Sequence, residues 1–146
     1  GIEVFVGNQT GSILALDGRS ADRRWLVADG AQDAVTLSED SVFVMTDNGT
    51  LTRLSRLTGE VIWSKGFPTE VEREARRPLP VLYHGPILAG GRLLLASTVG
   101  PVYEVAPEDG EVLATFSLDQ GAVAAPSVAG GVVYILSTSG LLFAYN

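Results

Sequence analysis

Four short apolar triplets recur along this chain: Val4-Phe5-Val6, Val42-Phe43-Val44, Leu93-Leu94-Leu95 and Val133-Tyr134-Ile135. Their starts, at 4, 42, 93 and 133, step by 38, 51 and 40. Gly11, Gly49, Gly100 and Gly140 each lie seven residues after a start and keep the same steps. Asp17, Ser55 and Ala106 step by 38 and 51, as do Trp25, Trp63 and Ala114, while Pro86 and Pro126 step by 40. Independent markers on one spacing define a repeated unit of about forty residues, a period that belongs to solenoids, propellers and arrays.

Each unit accounts for itself physically. A β-branched or aromatic triplet makes a strand, and a polar turn such as Thr46-Asp47-Asn48-Gly49 reverses it, because Asn and Gly accept the positive φ of tight hairpins. The alternating run Thr50-Leu51-Thr52-Arg53-Leu54 follows as a second strand, then a turn ending in Thr58-Gly59-Glu60, then Val61-Ile62-Trp63. One more apolar run precedes each triplet, as in Pro86-Ile87-Leu88-Ala89. Four strands, A to D, in about forty residues make one propeller blade. The expected fold is therefore all-β: a single incomplete β-propeller over 1–146, with about four four-stranded blades. It starts on strand B of one blade, contains two complete blades and ends on strand C of a fourth, which gives fourteen strands. The blade units are expected at about 1–33, 34–78, 84–120 and 121–146. From Trp63 to Pro86 is 23 residues, against 12 from Ala114 to Pro126. The surplus is an insertion over 69–83 at a blade-to-blade loop.

Composition narrows the function classes. A hydrophobic share of 46% with 18% charged residues describes a globular chain. Seventeen glycines and seven prolines suit many tight turns. The net charge of −7, with ten scattered bases, leaves no electrostatic footprint for nucleic acid. Cysteine is absent, which removes disulfides, thiolate metal sites and cysteine nucleophiles. The stretch from Gln120 to Asn146 carries no charge, but Pro126, Gly130, Gly131 and Gly140 interrupt it well short of the ~20 apolar residues of a spanning helix. No transmembrane segment is expected. The chain opens at Gly1-Ile2-Glu3-Val4 inside a strand pattern without a basic leader, so no targeting signal is expected in these residues and the opening is expected to be a cut end.

The segments Leu54-Ser55-Arg56-Leu57-Thr58-Gly59-Glu60-Val61-Ile62-Trp63 and Val105-Ala106-Pro107-Glu108-Asp109-Gly110-Glu111-Val112 resemble the A-x-D-x-x-T-G-x-x-x-W repeat of PQQ-type propellers. The resemblance implies that Trp25 and Trp63 dock on the neighbouring blade, and that the junction carrying Ala114 packs differently. The charged insertion, the run from Tyr83 to Leu93 and the ending Gly140-Leu141-Leu142-Phe143-Ala144-Tyr145-Asn146 are similar to the C-terminal half of BamB-type lipoproteins of outer-membrane barrel assembly, in their alphaproteobacterial form. That likeness implies a periplasmic, non-enzymatic scaffold peripheral to the outer membrane, binding other proteins and in particular the barrel-inserting subunit. It also implies that Asn146 stands at or near a natural end, with an N-terminal strand completing the last blade.

Because the repeat serves several functions, individual residues carry the functional reading. Quinone chemistry in the related dehydrogenases needs vicinal cysteines, a calcium and a catalytic Asp; this sequence shows no such constellation, and neither cofactor nor catalytic residue is expected. His84 is the single histidine and reads as structural, since no Gly-x-Ser-x-Gly elbow surrounds any serine. Calcium is conceivable at Asp47-Asn48 or Glu108-Asp109, where the turns need those residue types anyway. Asn8-Gln9-Thr10 and Asn48-Gly49-Thr50 match the glycosylation sequon but coincide with turns. The insertion is the candidate protein-interaction loop, with Glu70, Arg73, Arg76, Arg77 and Tyr83 as its site residues. Its Glu-to-Arg spacings predict a short helix laced by ion pairs. Two alternatives stay open: a fragment of a PQQ-dependent dehydrogenase, and the extracellular sensor propeller of a receptor or kinase. Two unneighboured blade faces and an unpaired last strand predict self-association.

Overall fold

A computed structural model of the chain describes residues 2–8 and 10–146; Gly1, which opens the chain, and Gln9, the middle of the first sequon, lie outside the described residues. Every regular element among the described residues is a strand. Blade I is β1 (Glu3–Asn8), β2 (Ser12–Asp17) and β3 (Arg23–Val27). Blade II is β4 (Thr36–Leu37), β5 (Ser41–Met45), β6 (Thr50–Ser55) and β7 (Val61–Gly66). The insertion follows as β8 (Glu70–Val71) and β9 (Leu79–Pro80). Blade III is β10 (Tyr83–Ala89), β11 (Arg92–Ser97), β12 (Pro101–Val105) and β13 (Val112–Ser117), and blade IV is β14 (Ser127–Ala129), β15 (Val132–Leu136) and β16 (Leu142–Tyr145). Within each sheet the strands lie in sequence order, and all pairs are antiparallel. The incomplete propeller is thus as the repeat requires, with two complete and two three-stranded blades.

The repeat extends to details of register. Pairing of the third and fourth strands is interrupted at Ala15/Leu16, Arg53/Leu54 and Glu104/Val105, positions again 38 and 51 apart. Such a bulge tightens the local twist of a blade. Gly11, Gly49, Gly100 and Gly140 all take positive φ, from 79° to 123°, where a β-carbon is strained.

Three apolar clusters hold the blades side by side. Ile13, Ala15 and Trp25 of blade I meet Val42, Val44 and Leu54 of blade II. Phe43, Met45, Leu51 and Phe67 meet Leu93, Leu95 and Val105 of blade III. Ala96, Val102 and Leu118 meet Ala122 and Ile135 of blade IV. Each tryptophan latches one junction. Trp25 Nε1 donates to the Arg56 carbonyl at 2.9 Å, and Trp63 Nε1 to the Pro107 carbonyl at 2.9 Å. The rings lie on Gly59 and Gly110, where an added β-carbon would stand 2.8 and 2.9 Å from indole atoms. At the third junction Ala114 supplies no ring, and Phe116 packs against Tyr145 with centroids 4.5 Å apart.

Turn chemistry follows the same register. Asn8, Thr46, Ser97 and Ser137 end the second strands of their blades, at steps of 38, 51 and 40. The side-chain oxygens of Asn8, Thr46 and Ser137 accept from the N–H four residues on, those of Ser12, Thr50 and Leu141. In blade III that donor position is Pro101, which has no N–H, and Ser97 Oγ is buried without a partner. Ser97→Ala is accordingly expected to leave stability unchanged or raise it by up to about 1 kcal/mol in urea denaturation. Thr46→Val, which strips a hydroxyl used by its turn, is expected to lower stability by about 1 kcal/mol or more in the same measurement.

Candidate interaction face

One rim of the molecule gathers the blade-to-blade crossings and the hairpin turns. Backbone bonds knit them together: Ala31 N–H donates to Asn8 O, Thr98 N–H to Leu82 O and Thr138 N–H to Gly121 O. The insertion rises from this rim. Strands β8 and β9 pair as Glu70↔Pro80 and Val71↔Leu79, with residues 72–78 at the tip.

The expected helix is therefore not formed; the insertion is a β-hairpin. Only eight residues separate Thr69 from Pro78, too few for a stable isolated helix. Pro78 also biases Arg77 away from helical dihedrals. The cross-strand contact of Val71 with Leu79 wins instead. The expected ion pairs are likewise absent among the described residues: Arg73 Nε and Nη2 donate to the Arg77 carbonyl at 3.2 and 3.0 Å, and no carboxylate lies within salt-bridge distance of Arg76 or Arg77. Ala75 turns the tip at φ 54°. Every residue from Pro68 to Pro80 is exposed.

Tyr83 stands apart from the other residues of the expected site. It is only 2% exposed and packs against Phe67 and Tyr103, with centroids 5.9 and 6.3 Å away. Burial, with Tyr103 beside it, pushes its phenol well above the ordinary tyrosine range. Its hydroxyl donates to Pro68 O at 2.7 Å and its N–H to Gln32 Oε1 at 2.9 Å. Tyr83 is thus a core residue that anchors the hairpin, not a contact offered to a partner. Fixation continues on both sides: Phe67 N–H donates to Gly49 O at 2.8 Å, Leu82 N–H to Thr98 Oγ1 at 3.0 Å and Gly85 N–H to Asp33 Oδ2 at 3.2 Å. His84 Nδ1 lies 3.7 Å from the same Asp33 oxygen, which makes the lone histidine part of this mount. A recess of about 280 Å³ at the root is lined by Gln32, Asp47, Leu82, Tyr83 and His84. The anchors Gln32, Asp33 and Thr98 had no motif to mark them; they sit 51, 52 and 16 positions from their partners.

The other candidates serve their own turns. Asn8 Oδ1 accepts from the Thr10 and Ser12 N–H groups, and Asp109 Oδ1 from the Glu111 N–H. Among the described residues no group of three or more His, Asp or Glu side chains gathers at metal-ligand distance. Nor is there, among the described residues, a helix long and apolar enough to cross a membrane.

The fold and this rim define an incomplete propeller of quinoprotein-like repeats that carries a rooted, exposed hairpin. Comparison with known proteins then places it. The sequence profile of the family described as outer membrane protein assembly factor BamB matches residues 1–65 and 69–146, and the chain belongs to that family. The outer membrane protein assembly factor BamB of Legionella pneumophila (strain Paris) is 25% identical over 138 residues, covering 94% of this chain and 33% of that protein. The crystal structure of BamB from Moraxella catarrhalis superposes with a TM-score of 0.76 at 23% identity, over 99% of this chain and 46% of that one. The quinohemoprotein alcohol dehydrogenase of Comamonas testosteroni shares the fold at a TM-score of 0.59 and 16% identity, over 79% of this chain and 19% of that one. The chain thus spans a third of the Legionella protein and under half of the Moraxella one.

One carboxyl on the rim titrates abnormally. Burial pushes Asp29 up, the Asp47 carboxylate adds to the rise, and a hydrogen bond from the Gly30 N–H opposes it. An acid with a raised folded pKa destabilises the fold once ionised, so the loss sets in as pH rises above the unfolded value of 3.8. Asp29→Asn is expected to raise the melting temperature at neutral pH, with the difference vanishing below that value. Thermal melts of both proteins across pH check it.

Proposed function

We propose that this chain is a non-enzymatic binding scaffold in the assembly of outer-membrane proteins. On this reading it works in the periplasm, peripheral to the outer membrane, and its partner is the barrel-inserting subunit. The observation that carries the reading is the hairpin: all of it is exposed from Pro68 to Pro80, yet its root is bonded to the loops of blades on both sides. Such an element presents a fixed surface, so little ordering entropy is lost when it meets a partner. Arg76 and Arg77 offer planar, multidentate donors to a carboxylate-bearing surface, and Val71 and Leu79 offer an apolar pair beside them. Membership of the BamB family supports the assignment to outer-membrane protein assembly.

Two outcomes follow. The double variant Arg76→Glu/Arg77→Glu is expected to weaken binding to the purified periplasmic part of the barrel-inserting subunit by about tenfold or more, as a lost charge-assisted contact at an interface implies. Calorimetric titration measures it, and a circular-dichroism spectrum unchanged from wild type isolates the effect to the surface. Addition of pyrroloquinoline quinone and calcium, followed by a dye-reduction assay on alcohols and sugars, is expected to give no turnover above blank.

A further inference from the structure

The blade junctions share one register but are not filled alike. Between blades II and III, Phe67, Val99 and Tyr103 pack into the buried cluster, with the Phe67 and Tyr103 centroids 4.9 Å apart. Between blades III and IV, Leu118 and Phe143 take the places of Phe67 and Tyr103, at steps of 51 and 40. Between blades I and II the places of Phe67, Val99 and Tyr103 fall to Asp29, Asn48 and Thr52, at steps of 38, 51 and 51. Three apolar plugs are thus replaced by a carboxylate, an amide and a hydroxyl.

The exchange leaves a cavity of about 210 Å³, lined by those three residues. Ile13, Val44 and Leu54 form its buried floor, and Val61 and Ser64 are exposed at its mouth. Every lining residue lies on β2, β3, β5, β6 or β7 or in a segment that joins them, so the cavity is internal to the array and owes nothing to its first or last strand. It is smaller than the about 300 to 1,000 Å³ of sites for drug-sized ligands, and suits a ligand the size of one long side chain.

The lining selects the chemistry of that ligand. Asp29 is half-buried, and among the described residues no cation lies within salt-bridge distance of it. Burial and the Asp47 carboxylate both disfavour its ionised form, a penalty that an entering cation offsets. Across the cleft on blade II, Thr52 Oγ1 and Ser64 Oγ lie 3.1 Å apart. One hydrogen bond joins these two hydroxyls, which leaves acceptor lone pairs for N–H groups. The aliphatic floor suits a methylene chain behind a charged head. An anion meets two carboxylates here, and a neutral apolar group leaves Asp29 buried and unpaired.

We propose that the cleft between blades I and II binds one organic cation, an alkylguanidinium or alkylammonium group the size of an arginine or lysine side chain, with its charge at Asp29 and its methylenes on Val44 and Leu54. Two sources share this chemistry, a free amine and a basic side chain of another polypeptide. The inference rests on register and cavity geometry and is independent of the hairpin's role.

Amide chemical shifts of the 146-residue chain, followed by NMR at neutral pH and low salt, test it with N-acetyl-arginine amide, N-acetyl-lysine amide and the uncharged N-acetyl-norleucine amide. The two cationic probes are expected to give saturable shifts at Asp29, Gly30, Thr52 and Ser64, and the norleucine probe none. Asp29→Asn is expected to weaken binding about tenfold or more, as the loss of a charge-assisted hydrogen bond implies. Asp119→Asn, an exposed site with the same change in net charge, is expected to leave it unchanged. Thr52→Tyr, which restores the plug of the next junction, is expected to abolish binding while strand-type circular dichroism is retained; Asp29→Asn, which changes no volume, serves if that variant fails to fold. A capped pentapeptide with a central arginine, compared with n-butylguanidine, separates the sources. Equal or tighter binding of the peptide assigns the cleft to a polypeptide side chain, and binding of n-butylguanidine alone assigns it to a free cation. Absence of saturable shifts with every cationic probe overturns the proposal. So does norleucine binding as well as lysine, or an affinity indifferent to Asp29→Asn.

Discussion

An indole laid flat on the bare α-carbon of a glycine is the contact on which the order of this molecule depends. Trp25 and Trp63 each reach from the outermost strand of one blade to the C–D loop of the next, and each spends its single N–H on a carbonyl there. The approach is close enough that no residue but glycine fits beneath the ring. The latch ties the outer edge of each junction, while the strand triplets bury its centre. Where the ring is missing, at Ala114, Phe116 and Tyr145 pack across the two blades beside a cavity of about 300 Å³. The same register therefore carries two kinds of junction, one with a hydrogen-bonded indole latch, the other with apolar packing beside the backbone bond from Ala122 N–H to Ser97 O.

Charged side chains reinforce the latched junctions and not the third. Arg56 bonds Glu3 across blades I and II and lies over the Phe5 ring at 5.6 Å. Arg53 lies over Phe43 at 5.8 Å and donates to the Pro107 and Glu108 carbonyls of blade III. The corresponding residue of blade III is Glu104, which pairs with Arg92 of its own sheet and reaches no further. Blades I to III thus share side-chain bonds across their junctions, and blade IV adheres by its apolar face and by backbone bonds such as Ala122 N–H to Ser97 O.

An open array of four blades carries one projecting hairpin. The repeat explains how a family can keep one architecture and change what it does, because the blade cores are set by strand packing while the crossings between blades are free to lengthen. In this chain the lengthened crossing is mounted on three successive blades by Gln32, Asp33, Gly49 and Thr98, so its exposed tip is held in a defined place.

The all-β fold, the blade count and the strand order were legible in the sequence, since each depends on local alternation, turn residues and a period that can be counted. The triplets at 4, 42, 93 and 133 needed no tertiary information to read as strands. The hairpin form of the insertion was not legible, because a run of alternating Glu and Arg has the spacing of a helix face, and what overrode it was the pairing of Val71 with Leu79 and the stop at Pro78. Nor was the burial of Tyr83, whose surroundings come from Phe67, just after β7, and from Tyr103 on β12. The orphaned hydroxyl of Ser97 lay between the two: Pro101 was visible in the sequence, but its significance required knowing that residues four apart close this turn. By itself the sequence determined which residues face inward and how often the chain reverses, because side-chain alternation and positive φ are properties of neighbouring residues. Only the tertiary structure decided which inward faces find a partner, because burial depends on residues from another blade, some fifty positions away along the chain.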